Sequence, residues 1–303
     1  MAKTLTSEQA AALANELSAA GRWPELESLV RAWLRTLPAE PSKSRDALER
    51  QLREKLIEAL FRQGRVEESL AAFLDLARDT APEISAPFVD LYVAAMKRTH
   101  AMPVPLGRFH RVHQLSRLVE ESLALGGETA ECGCFRGLSS YVICATERRH
   151  RSGYDGRSHH VFDSFAGLSA PQAEDLGRDD APGAARVDGM RKAGAFKASL
   201  EEVRANLADF PAIDYRPGWI PDSLRGVAER SYRLLHLDLD LYAPTAGALE
   251  YFWPRLVAGA YVACDDYGWP GGRRAIDEFA QRNGVAVATN GFNQAWLRKP
   301  GSR

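Results

Sequence analysis

Past residue 127 the chain alternates short apolar runs with amphipathic stretches, a rhythm that few architectures accept. The runs lie at 128–134, 160–163, 214–216, 234–239 and 260–265, and helical patterns begin near Ser139, Ser199 and Thr245 between them. Apolar segments this short, separated by helices, predict a mostly parallel α/β sheet covered by helices on both faces. Ligands of such sheets bind beyond the carboxyl ends of the strands. Chemistry is therefore sought in the residues that follow each run.

Upstream the rhythm differs. Residues 7–98 place apolar side chains three and four apart, Leu56, Leu60, Val66, Leu70, Phe73 and Leu74 among them, which is helical spacing. Gly21-Arg22-Trp23 followed by Glu25 resembles Gly64-Arg65-Val66 followed by Glu67, and Pro38 and Pro82 close the two copies. A glycine between amphipathic helices with a closing proline is tetratricopeptide-like, although the offset of 64 minus 21, or 43 residues, exceeds the usual spacing of about 34. An all-α domain is expected over 1–98. The prolines of 99–107, THAMPVPLG, break helical periodicity and mark a junction. A second domain then occupies 108–303, opening with a helix at about 108–125.

Composition narrows the partners. Lys+Arg of 39 against Asp+Glu of 40 leaves a net charge of -1, so no global field attracts nucleic acid or anionic lipid. The N-terminus lacks a signal-peptide pattern and no stretch approaches the roughly 18 uninterrupted apolar residues of a membrane span, so a cytoplasmic protein is expected. Cys132, Cys134, Cys144 and Cys264 all lie in apolar stretches. They read as reduced core thiols rather than as a zinc site, which needs more ligands at matching spacing.

The first strand runs into ECGCFRGLSS, Glu131 to Ser140. Gly133 and Gly137 let backbone approach a ligand at the start of a helix, and Ser139 or Ser140 is placed to cap that helix. A plain strand-to-helix connection has the same appearance, and neither a Walker loop nor G-x-G-x-x-G is matched. The next strand ends in Asp163, where a Rossmann-type fold grips ribose hydroxyls through two hydrogen bonds. After the third strand, Gly218 and Trp219 lie where an adenine would rest, with a core tryptophan as the other reading.

The fourth and fifth strands end in LDLDLY and CDDYG. Strand residues two apart share a face, so Asp238 and Asp240 are expected to project together, beside Asp265 and Asp266. Four carboxylates with no Lys or Arg in either motif repel one another unless a cation holds them, and all-oxygen ligation favours Mg²⁺ or a similar hard ion. Turn formation alone would also explain Asp265, Asp266 and Gly268. His236 reads as a packed residue, His159 and His160 as surface, and His110 and His113 as part of a solvated helix face. The stretch 169–195, long for a connection, reads either as a lid or as disorder without function.

Taken together, AECGCFRGLSS, VFDSFAGL, GAFKASLEEVRANL, GWIPDSL, GGRRAIDEF and the long block LDLDLYAPTAGALEYFWPRLVAGAYVACDDYG resemble the macrocin O-methyltransferase family, class I, metal-dependent sugar methyltransferases. The resemblance covers about 108–296. It implies a class I methyltransferase sheet, S-adenosylmethionine bound by Glu131, Gly133, Gly137, Ser139, Asp163, Ser164, Gly218 and Trp219, a metal held by Asp238, Asp265 and Asp266, and Asp240 as general base. The implied acceptor is a sugar-bearing small molecule or glycan, and a homo-oligomer is compatible with it. Leu239 stands where the family usually has glycine, and Gly272 where it usually has cysteine, a change that touches no proposed ligand. Two other enzymatic readings compete. A glycosyltransferase also uses D-x-D, but leaves the glycine turn and Asp163 without a role; a small-phenol methyltransferase shares the chemistry and differs in the pocket.

Overall fold

The computed structural model describes residues 6–36, 43–175 and 192–301. Of the stretch 169–195, read above as a lid or disorder, positions 176–191 lie outside the described residues. The chain forms two compact units, one of Met1–Met96 with Met102–Phe109 and one of Lys97–Ala101 with His110–Arg303.

Helices α1 (Ser7–Ala19), α2 (Trp23–Leu34), α3 (Lys43–Arg62), α4 (Val66–Thr80) and α5 (Ala86–Thr99) supply the first unit's secondary structure, together with the first residues of α6 (Leu106–Ser122). Leu17, Leu26, Val30, Leu52, Leu56 and Leu60 pack between α1, α2 and α3. The 43-residue repeat is geometric as well as sequential. Gly21 and Gly64 both take positive φ, +67 and +77. Arg22 donates its N–H to the Leu17 carbonyl and Arg65 donates to Leu60, while each arginine also bonds a glutamate three residues on, Glu25 and Glu68. The left-handed glycine closes one helix and the arginine opens the next, so each pair turns back on itself in the same way.

The second unit carries β1 (Glu128–Cys132), α7 (Leu138–His150), β2 (His159–Asp163), α8 (Leu200–Asn206), β3 (Asp214–Pro217), β4 (Tyr232–Leu237), α9 (Tyr242–Phe252), β5 (Leu256–Cys264), α10 (Pro270–Asn283), β6 (Ala288–Thr289) and β7 (Ala295–Arg298). They form one seven-stranded sheet in the order β3-β2-β1-β4-β5-β7-β6. The pairings from β3 to β5 are parallel; β7 runs antiparallel to β5 and β6 antiparallel to β7. The apolar runs are nearly continuous because both faces are covered. Leu235, Leu237, Val262 and Cys264 pack with Ile276 and Phe279 of α10 on one side, while Leu234 and Ala263 pack with Leu118, Val119 and Ile143 of α6 and α7 on the other. All four cysteines are free and buried, as expected. His159 and His160 are buried too, against the expectation of surface, because β2 begins at His159; His160 is held between Glu128 and Asp214. Among the described residues no helix is long and apolar enough to cross a membrane.

Candidate active site

The turn after β1 is built by close approach. Gly133 has φ +84, and a Cβ there would overlap the Asp238 carbonyl, so the chain leaving β1 lies flat against the chain leaving β4. Gly137, φ +91, is the N-cap of α7. No side chain caps this helix, contrary to the expectation for Ser139 or Ser140: a glycine cap has no oxygen to offer, and the Ser140 hydroxyl donates to Glu131 instead. Ser139 is half-buried in the first turn. The helix N-terminus thus keeps its positive end for a ligand.

Asp163 ends β2 and holds this turn together. Its Oδ2 accepts from the N–H groups of Cys134 at 2.7 Å and Phe135 at 3.3 Å, and its Oδ1 from Phe165 at 2.8 Å. A carboxylate has about four acceptor positions, so the two-bond ribose grip expected from sequence meets a group with three already taken. Ser164 donates to the Gly167 carbonyl at 2.7 Å and shapes the loop rather than facing outward. Gly218, φ +135, leads to Trp219, whose ring is 52% exposed and whose Nε1 donates to the Gly167 carbonyl. Trp219 is therefore no core tryptophan. Phe135 and Phe196, each 44% exposed, meet edge to face nearby in sequence to these loops, and neither was singled out from sequence.

Glu131 does not line the surface of the turn. Period two puts its side chain on the face opposite Ala130 and Cys132, where it is fully buried and accepts from His236 Nδ1 at 2.9 Å and from Ser140. Burial works to neutralise its carboxyl, but the hydrogen bond from His236 and the nearby His159 ring, 3.6 Å away, win and hold it far below the usual carboxylate range. The same partners act on His236: burial opposes its charge, and Asp265 with Glu131 outweighs burial and keeps the imidazolium.

The aspartates meet, though not through the strand parity expected. β4 stops at Leu237, and Asp240 takes φ +62, a left-handed conformation that turns the chain back. Its N–H donates to Asp266 Oδ2 at 2.6 Å, which ties the two strand ends together. Asp238, Asp240 and Asp266 then offer oxygens within 4.8 Å of one another. That spacing suits a hard cation, whose ligand oxygens stand about 2.0–2.6 Å from it and so up to roughly 4–5 Å apart.

Asp265, next to this group, has protein partners of its own. Its Oδ1 accepts from Gln294 at 2.8 Å and lies 3.3 Å from His236 Nε2, while Oδ2 accepts from Arg111 Nε at 3.2 Å. Burial would raise its carboxyl, but His236 and Arg111 pull it down to about 2. The compensating cations missing from the two motifs thus arrive from β4 and from α6. Asp238 has the opposite setting: crowding by protein and the like charges of Asp265 and Asp240 push it up to about 7, although the residue itself is open to solvent.

A glycine turn packed against an acidic bowl, at the carboxyl ends of β1, β4 and β5, is a two-part site. Residues 96–295, well over half of the chain, match the profile of the macrocin O-methyltransferase family (TylF). The chain belongs to this family. It is an O-methyltransferase, and the glycosyltransferase alternative falls with that match. A 4'-O-methyltransferase of 8-demethyl-8-(2,3-dimethoxy-alpha-L-rhamnosyl)-tetracenomycin-C from Streptomyces olivaceus is 34% identical over 182 residues, 58% of this chain and 67% of the relative. Mycinamicin III 3''-O-methyltransferase from Micromonospora griseorubida is 29% identical over 226 residues, 71% of this chain and 80% of the relative. Among solved structures, the O-methyltransferase NovP aligns with a TM-score of 0.51 and 26% identity, covering 63% of this chain and 79% of that one.

Against the macrocin O-methyltransferase pattern, one departure matters more than its sequence position suggested. A Cβ on Gly272 would stand 2.7 Å from the Asp266 carbonyl oxygen and 2.8 Å from the Asp266 Cβ. A side chain at 272 therefore presses on a proposed ligand, contrary to the expectation that the change touches none. His110, expected on a solvated face, is half-buried and stacks on Phe292 at 4.0 Å.

Proposed function

We propose that this protein transfers the methyl group of S-adenosylmethionine to a hydroxyl of a sugar or glycosylated acceptor, a natural product or polysaccharide, with Mg²⁺ or a similar divalent cation in the aspartate bowl. The observation that carries the reading is the contact of Gly133 with Asp238, which sets a donor-binding turn directly against an acceptor-binding bowl. A relative whose name specifies methylation of a rhamnosyl-bearing tetracenomycin supports the acceptor class. Gly133, Gly137, Ser139, Gly218 and Trp219 border the donor, Asp163 adds its remaining acceptor position, and Glu131 and Ser164 act from behind the loops.

Asp238, Asp265 and Asp266 would hold the cation, and Asp265 is in addition engaged by Arg111, Gln294 and His236. A cation bound there supplies charge stabilisation to an ionising hydroxyl. Asp240, in the same bowl, takes the hydroxyl proton. The close packing of Gly133 on Asp238 would hold the donor turn and the bowl side by side, and positioning of the two reactants is where most of the rate gain of such a reaction arises. Residues 1–98 are proposed as a tetratricopeptide-like domain, supported by the matching turns at Gly21 and Gly64, with 99–107 as the junction and 108–303 as the methyltransferase domain.

Calorimetric titration of S-adenosylhomocysteine into the purified protein tests the donor site, with micromolar binding as the expected result. A folded protein that binds none overturns the reading. Methyl transfer to a glycosylated acceptor and none to a simple catechol then supports the acceptor class, and the reverse selectivity overturns it. The cation site has its own signature: protonation of Asp238 competes with the ion, so Mg²⁺ affinity falls about tenfold from pH 8 to pH 6 and changes little above pH 8. A flat profile over that range counts against Asp238 as a ligand.

A further inference from the structure

The sheet face under α6 and α7 is apolar, with Leu118, Val119, Ile143, Leu234 and Ala263, yet three ionisable side chains cross it in a row. Register explains the row. Glu131 of β1 stands opposite His236 of β4, and His236 opposite Ala263 of β5; Asp265, two residues beyond Ala263, continues on the same face. His236 Nδ1 is 2.9 Å from Glu131 Oε1, and its Nε2 is 3.3 Å from Asp265 Oδ1. Glu131 and His236 are both 0% exposed.

Each end of the row reaches one half of the site. Ser140, in the first turn of α7, donates to Glu131 Oε2, and Glu131 precedes Gly133 by two residues. At the other end Asp265 adjoins Asp266, and Arg111 and Gln294 bond its carboxylate. Acidic and basic side chains alternate along the row, Glu131, His236, Asp265 and Arg111. Such a buried array stabilises a fold little or no better than apolar side chains of equal volume, because taking ionisable groups out of water offsets their mutual attraction. Stability alone is a poor reason for it. The two bonds of His236 are also unequal: that to Glu131 is a well-formed hydrogen bond, whereas Nε2 faces Asp265 without one. A displacement of a few tenths of an ångström at Asp265 is enough to make or break the second.

We propose that His236 is a positioning residue that couples the two halves of the site, so that occupancy of the donor turn favours occupancy of the aspartate bowl and the reverse. The proposal rests on the reading that the methyl donor and a cation bind at those two places. Coupling passes through a contiguous row of side chains whose ends are fixed to the two loops, and thermodynamic reciprocity requires the same factor in both directions.

The test is calorimetric titration of S-adenosylhomocysteine into the full-length protein with and without saturating Mg²⁺. Wild type is compared with His236→Asn, which keeps a donor toward Glu131, and His236→Gln, which keeps one toward Asp265. In wild type Mg²⁺ tightens S-adenosylhomocysteine binding by roughly five- to twentyfold. In both variants each ligand alone binds within about threefold of wild type, and the coupling factor falls below about two. A wild-type factor of one with both ligands bound, or an undiminished factor in the variants, overturns the proposal. Absence of S-adenosylhomocysteine or Mg²⁺ binding to wild type removes the functional reading first and the coupling with it, and so is told apart from a lost factor. Should neither histidine variant fold, Ser140→Ala removes only the outer donor to Glu131. A factor unchanged in that variant overturns the proposal, and one reduced at least threefold supports it.

Discussion

Asp240→Asn lowers kcat by about 10²- to 10⁴-fold and weakens Mg²⁺ binding less than Asp238→Asn does, since it removes a neighbouring charge and not a ligand. The substitution is a clean one because asparagine tolerates the left-handed backbone that residue 240 adopts at φ +62. The Asp240 N–H that donates to Asp266 at 2.6 Å is likewise retained, so the tie between the strand ends survives. What disappears is the basic oxygen facing the other two carboxylates. Asp238→Asn behaves in the opposite order, losing Mg²⁺ binding first and turnover as a consequence. Single-turnover methyl transfer and Mg²⁺ calorimetry on the two variants separate the roles. Equal loss of Mg²⁺ binding in Asp240→Asn makes Asp240 a ligand and returns the search for a base to the acceptor side.

How far such roles were legible in the sequence depends on whether the partners share a segment. Four of the five runs became β1, β2, β4 and β5 as apolar stretches buried along most of their length, while β3, Asp-Tyr-Arg-Pro, is a half-exposed edge strand placed by the alternation alone; the glycine turn and the two acidic motifs carry their chemistry within a few residues. β6 and β7 left no trace: β6 is two residues long and β7 four, too short to show a period. The protein partners of Asp265 lie elsewhere, Arg111 on α6 and His236 inside β4, and spacing along the chain carries no signal for a contact between residues 111 and 265. Glu131 is the more instructive case. Resemblance put it at the donor, yet alternation along β1 already points its side chain away from the face of Cys132 and into the helix-covered side. The end of β4 shows the converse. Parity predicted that Asp238 and Asp240 project together, and they do meet, but through a left-handed turn that parity does not describe.

Gly133→Ala destabilises the second unit by about 3 kcal/mol or more, the sum of roughly 1–2 kcal/mol for an L-residue in the left-handed region and of the backbone shift that relieves an overpacked contact. The clash is with backbone, the Asp238 carbonyl, which has no rotamer to escape into. That carbonyl belongs to a residue whose own N–H is fixed to the Cys132 carbonyl at 2.9 Å, so relief on one side strains the ladder between β1 and β4. For a domain of this size the loss corresponds to a fall in Tm of roughly 6–12 °C. Gly153→Ala is the control. Gly153 also has positive φ, +74, but a Cβ there meets nothing within 4 Å, so only the backbone cost of roughly 1–2 kcal/mol remains. Thermal unfolding of the two variants side by side measures the difference. A Gly133→Ala protein no less stable than Gly153→Ala would mean that the turn and the bowl are not packed against each other, and the two-part site would lose the contact on which the proposed transfer geometry depends.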